Sequence, residues 1–234
     1  MNCPRLFIEY RYSLDLCREN LNGQVFYVSW IWSWILKLFQ QFLPFVKFVT
    51  FSETLDSDDA LNWQEHCLLQ RIEAVRLSMS GTSVKITLRA SPVSAAPPSG
   101  TISLASAASI DRIYISRADP AGHPYDSAAD LMDVTSTMYS SDPDLPVVIS
   151  FPIVLPPNKA VTLLAFKYNL DATQPLLIAV DFSATPESRI RCKQGVPIQE
   201  ACAYIKFGAE AAKANRTGFA PYPGIYLIER IEIA

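Results

Sequence analysis

Residues 25–51 read VFYVSWIWSWILKLFQQFLPFVKFVTF, and the polar positions within this apolar run, Ser29, Ser33, Lys37, Gln40, Gln41, Pro44 and Lys47, recur every three or four residues. On an α-helix that spacing collects them on one stripe and leaves Val, Ile, Leu, Trp and Phe over the remaining surface. A bilayer is crossed by about 20 mainly apolar residues, so the run predicts one hydrophobic helix over 24–51. A charge near the bilayer centre costs roughly 2.5–3.5 kcal/mol. The stripe of Ser33, Lys37, Gln40, Gln41 and Lys47 is therefore expected to turn toward protein neighbours. Tyr27, Trp30, Trp32 and Trp34 are the expected anchors at the membrane interface. Two arrangements compete with spanning: a helix lying in the interface plane with its stripe in water, and a helical hairpin inside a soluble core. Three tryptophans within five residues weigh against the last.

A cleaved secretory signal fits poorly, because a mixed stretch precedes the run and FSETLDSDD, with no small-residue cleavage site, ends it. Arg5, Arg11 and Arg18 precede the run, whereas Arg71 is the one basic residue between positions 52 and 75. That bias predicts a cytoplasmic N-terminus and a C-terminal domain on the periplasmic or extracellular side. Residues 1–23 show no strong period and read as a short extension. Residues 52–66 read as a linker or short helix, with Asp56 or Ser57 as N-cap before ALNWQEHCLL.

From 67 to 234 the pattern changes to short runs of strand type. They are expected near 68–78, 83–89, 101–105, 109–116, 146–151, 160–168, 176–183, 203–207 and 224–233. In 83–89, Val84, Ile86 and Leu88 alternate with Ser83, Lys85, Thr87 and Arg89, the period-2 mark of a half-buried strand. Turn-forming clusters separate the runs, among them SPVSAAPPSG, LPPNK and NLDATQP. Many short strands without long intervening helices predict a mainly β fold: an immunoglobulin-like or jelly-roll-like antiparallel β-sandwich, preceded by one hydrophobic N-terminal helix. The Cys…Trp…Cys signature of true immunoglobulin domains is absent. Residues 117–145 read as a long polar loop with room for one helical turn at 127–133, and the alanine-rich part of 208–223 as a short helix ended by Gly218 and two prolines.

Half of the 234 residues are hydrophobic and 18% are charged, against about 25% in ordinary globular chains. The net charge of −3 leaves no basic stripe for phosphates, so no nucleic-acid partner is expected. Five cysteines without a C-x-x-C pair, and only two histidines, exclude a zinc site built from such spacing. Cys192 and Cys202 flank CKQGVPIQEAC and form a candidate disulfide, with two unbridged half-buried thiols as the alternative. Asp119, His123, Asp126, Asp130, Asp133, Asp142 and Asp144 bring oxygen ligands for Ca²⁺ into one loop. The EF-hand order is missing, so a solvated acidic loop is expected instead. Glu65, His66 and Cys67 are adjacent, and neighbours in sequence point in different directions, so they are not expected to act as nucleophile and base. Asn215-Arg216-Thr217 is a formal glycosylation sequon.

No hydrolase, zincin or phosphate-loop motif occurs, so no enzymatic role, cofactor or metal is expected. The leading expectation is an accessory subunit of a membrane complex, photosynthetic or respiratory. Its partners would be other membrane protein subunits and the lipid bilayer. The alternatives are a membrane-anchored binding module recognising a glycan, peptide or protein, a capsid-type β protein with an amphipathic arm, and an enzyme assembled from distant residues.

Overall fold

Alternation survives folding wherever a strand has one covered face. In β4 (Gly81–Arg89) Val84, Ile86 and Leu88 are fully buried while Ser83, Lys85 and Arg89 are not. In β9 (Phe166–Leu170) Phe166, Tyr168 and Leu170 point inward, and Lys167 and Asn169 are exposed. The unbroken apolar run LLIAVDF forms β10 (Leu176–Phe182), buried along its whole length because both its faces are covered. The computed structural model describes residues 48–92, 108–137, 152–184 and 187–234. All of these fall in one unit, Val46–Ala234. Segment 1–23, most of the 24–51 segment with its stripe and anchors, and the strands expected at 101–105 and 146–151 lie outside the described residues.

The described chain is mainly β. The remaining strands are β1 (Phe48–Ser52), β2 (Ser57–Asp58), β3 (His66–Ile72), β5 (Ala108–Arg117), β6 (Met132–Asp133), β7 (Ile153–Leu155), β8 (Ala160–Thr162), β11 (Arg191–Lys193), β12 (Ala201–Phe207), β13 (Ala220–Pro223), β14 (Ile225–Tyr226) and β15 (Ile228–Ile233). A 3-10 turn covers Ala74–Arg76, and a single helical turn, α1, covers Val134–Thr137. Every strand pairing is antiparallel. Sheet I runs β1-β15-β4, with β8 and β9 both along the far side of β4. Sheet II runs β13-β12-β3-β10-β5, with β6 and β7 both along β5. A small sheet III joins β14, β11 and β2. The pairs nest: β1 with β15, β3 with β10, β4 with β9 and β5 with β7. Among the strands of five or more residues the chain alternates between sheets I and II from β1 to β10, then adds β12 beside β3 in sheet II before β15 returns to sheet I.

Sheets I and II share one core. Phe51, Val84, Ile86, Leu88, Ile231 and Ile233 from the first join Leu68, Ile72, Ile113, Ile115, Ile178 and Val180 from the second. The other face of sheet II carries a smaller core of Cys67, Leu69, Leu177, Ala179, Cys202 and Tyr204, roofed by Ala118, Ala211 and Phe219.

Several expectations need correction. Residues 48–51, read as the end of the helix, are strand: Thr50 and Phe51 are buried and the strand pairs with β15. Residues 52–66 hold no helix. Asp59 accepts hydrogen bonds from the Trp63 indole (2.7 Å) and the Tyr222 hydroxyl (2.8 Å), which folds that stretch around the fully buried Trp63. The strand expected to reach 78 stops at Ile72, and a 3-10 turn follows at Ala74–Arg76. The alanine-rich stretch at 208–219 is a loop, because its backbone is hydrogen-bonded to side chains from elsewhere, as described next.

Candidate functional site

A buried arginine closes the outer face of sheet II. Arg216, 2% exposed, donates through Nη1 to the Tyr125 carbonyl (2.7 Å) and the Ser127 hydroxyl (2.8 Å), and through Nη2 to the Ala211 carbonyl (3.0 Å). Its own amide donates to the Asp126 carboxylate (2.7 Å). Asp181 on β10 accepts the amides of Glu210 (2.9 Å) and Ala211 (3.0 Å). These bonds use the backbone groups that a helix would need, which is why 208–219 folds as a loop. Burial pulls the guanidinium down from its ordinary value, opposed by Cys67, Asp126, Asp181 and Glu210. An arginine remains charged under such opposition.

The acidic loop is a built cap. Asp126 also accepts the His123 amide (2.8 Å), Asp119 accepts the Ala121 amide (2.9 Å), and Asp133 accepts the Thr135 amide (2.8 Å). Their carboxylates are engaged locally rather than turned toward a common centre. Among the described residues no group of three or more His, Cys, Asp or Glu is placed to hold a metal ion. Asp142 and Asp144 lie outside those residues. The His123 ring stacks on Tyr125 (5.1 Å), which stacks in turn on Phe219 (5.4 Å).

Cys67, Cys192 and Cys202 are buried free thiols. Cys192 lies on β11 of sheet III and Cys202 on β12 of sheet II, so the candidate disulfide across 192–202 is not formed. Burial pushes the Cys192 thiol up to about 11, and burial together with Asp181 raises Cys67 well above its usual value. Such thiols are poor nucleophiles. Cys67 belongs to the outer core of sheet II, whereas the His66 ring lies edge-on to Trp63 and Phe207. Glu65 adopts a left-handed conformation (φ 57°) in the turn before them. The Asn215 side of the sequon is exposed and its central residue, Arg216, is buried.

Two surface features remain. The first is an open cleft of about 650 Å³ between the neighbouring edges of sheets I and II. One wall is β9, with Lys167 and Asn169; the other is residues 129–132, leading into β6. At its floor Asp130 accepts the Tyr168 hydroxyl (2.9 Å), the Arg117 Nε (2.9 Å) and the Arg117 amide (3.1 Å), tying the two sheets together. Burial and Asp130 raise the Tyr168 hydroxyl far above its usual value, so it stays a donor. No sequence signal marks this cleft, since Tyr168 and Asp130 stand 38 positions apart.

The second feature is apolar. Seven large hydrophobic side chains of the described residues are exposed, and five of them, Phe48, Val49, Val75, Met79 and Ile198, lie on segments joined at one end of the domain. Ser78 binds the backbone of Val49 and Thr50, and Glu73 and Arg76 bind Glu200. Among the described residues no helix is long and apolar enough to cross a membrane. The sequence matches no protein-family model and no curated protein.

Proposed function

We propose that this protein is a non-enzymatic accessory subunit of a membrane protein complex, anchored by the apolar run that ends at β1 and bracing its partners with a jelly-roll β domain. The nested strand pairing, alternating between the two sheets from β1 to β10, supports the jelly-roll reading. One observation carries the membrane reading. The apolar run leads straight into Phe48 and Val49, 45% and 44% exposed, and the exposed Val75, Met79 and Ile198 lie on segments that hydrogen bonds link in series to β1. Exposed large apolar side chains gathered on linked segments support an interaction surface, and here they follow the most apolar segment of the chain. On this reading the domain lies outside the cytoplasm.

The test is to solubilise native membranes in mild detergent and isolate the full chain. It should emerge with fixed partner subunits, and Val75→Asp combined with Ile198→Asp should release them without altering the circular dichroism of the domain. Isolation as a lone monomer would sink the subunit reading. The cleft between sheets I and II favours a second reading, an anchored binding module. Removing residues 1–47 separates the two: a module keeps its ligand, and a subunit loses its assembly.

A further inference from the structure

Among the described residues the cleft is walled by a strand edge without a second partner, while two other sheet edges are closed. An unpaired edge offers a row of N–H and C=O groups to any extended chain, and proteins usually block it. Sheet I is blocked at β1. The Ser78 amide donates to the Thr50 carbonyl (2.9 Å), the Ser78 hydroxyl to the Val49 carbonyl (3.1 Å) and the Thr50 hydroxyl to the Met79 carbonyl (2.7 Å). Sheet II is blocked at β13 by Pro221 and Pro223, which have no N–H to give. On the opposite side of sheet I, β9 pairs with β4 alone. Its five residues contain no proline, and their outer backbone groups meet no hydrogen-bond partner among the described residues.

This open edge faces a polar floor and an apolar wall. The floor is the Tyr168–Asp130–Arg117 tie, whose carboxylate already holds three donors and whose bonds fix the separation of the two sheets. The wall includes the half-buried Leu131 and Met132. An added strand would lie in the plane of sheet I, about 4.8 Å from β9. Lys167 is exposed on β9 and forms no ion pair among the described residues. A lysine on an edge disfavours a basic side chain directly opposite and favours an acidic one.

We propose that the cleft takes an extended peptide segment as an added strand on β9, choosing one with an acidic side chain opposite Lys167 and apolar side chains toward Leu131 and Met132. The inference is independent of the membrane reading, because it uses only residues of sheets I and II. In the test, a displayed library of random linear peptides is selected against the full chain in detergent micelles. The enriched peptides are then resynthesised with one backbone amide methylated at a time.

The expected result is a family of alternating sequences with an acidic position, whose binding is lost on methylation at every second residue. Lys167→Glu should weaken these peptides about tenfold, the swing from an opposed to a like charge across a strand pair. Replacing the peptide's acid by lysine should restore binding to that variant. An unchanged thermal midpoint for Lys167→Glu shows that the fold is intact. The inference is overturned if no peptide is enriched, if Lys167→Glu binds the enriched peptides as well as the native chain, or if methylation sensitivity has no period of two.

Discussion

At the scale of single residues, Arg216 has the largest predicted effect. Its guanidinium is buried and satisfied by three backbone carbonyls and a hydroxyl, with Asp126 and Asp181 nearby. Replacing it by methionine keeps the bulk but leaves those acceptors without donors. Breaking a buried charge arrangement on one side costs about 3–5 kcal/mol, so Arg216→Met should lower the unfolding free energy by that order in a urea titration. Glu210 adds a pH-dependent contribution. Lys213 (2.8 Å) and Lys206 (2.9 Å) hold its carboxylate below the usual range, with the lysine hydrogen bonds outweighing its burial. A depressed carboxylate stabilises the fold above its unfolded value, about 4.3, and the gain is lost as pH falls through the lower folded value. The stability difference between the native chain and Glu210→Gln should therefore be flat above about pH 5 and vanish in stronger acid. A difference that grew on acidification would contradict the assignment.

At the scale of elements, the cap over sheet II behaves as one piece, because Asp126 and Arg216 join its two loops. Gly122 sits where a Cβ would lie 2.8 Å from an Asp126 carboxylate oxygen and 2.9 Å from its Cβ. Gly122→Ala should cost about 1–3 kcal/mol, the usual range for overpacking. Hydrogen exchange should show amides 210, 211 and 216 losing protection together, and unchanged exchange there would contradict a joined cap. The elements differ in how legible they were. β4, β5, β10, β12 and β15 stood out because alternation or unbroken β-branched runs specify which face is covered. β2, β6, β11 and β13 are two to four residues long, too short for any period to register, and their pairing is set by neighbours remote in sequence. The stretch 56–66 looked helical because Asp and Ser cap helices well, yet the same Asp chemistry served an indole and a phenol instead.

At the scale of the whole molecule, the β class was readable and the cleft was not. The class follows from local patterning, whereas the cleft joins Arg117, Asp130 and Tyr168 from three separate segments. Arg216 was visible in sequence only as the middle of a sequon, and its burial depends on a loop whose course composition does not reveal. The proposed subunit role requires that the β domain hang from a lipid-embedded run ending at Phe48. Flotation after alkaline carbonate treatment tests it most directly: native membranes holding the full chain are washed at high pH and spun upward through a density gradient. A lipid-embedded chain rises intact with the lipid, whereas recovery of the intact chain in the lipid-free fraction would rule the anchor out.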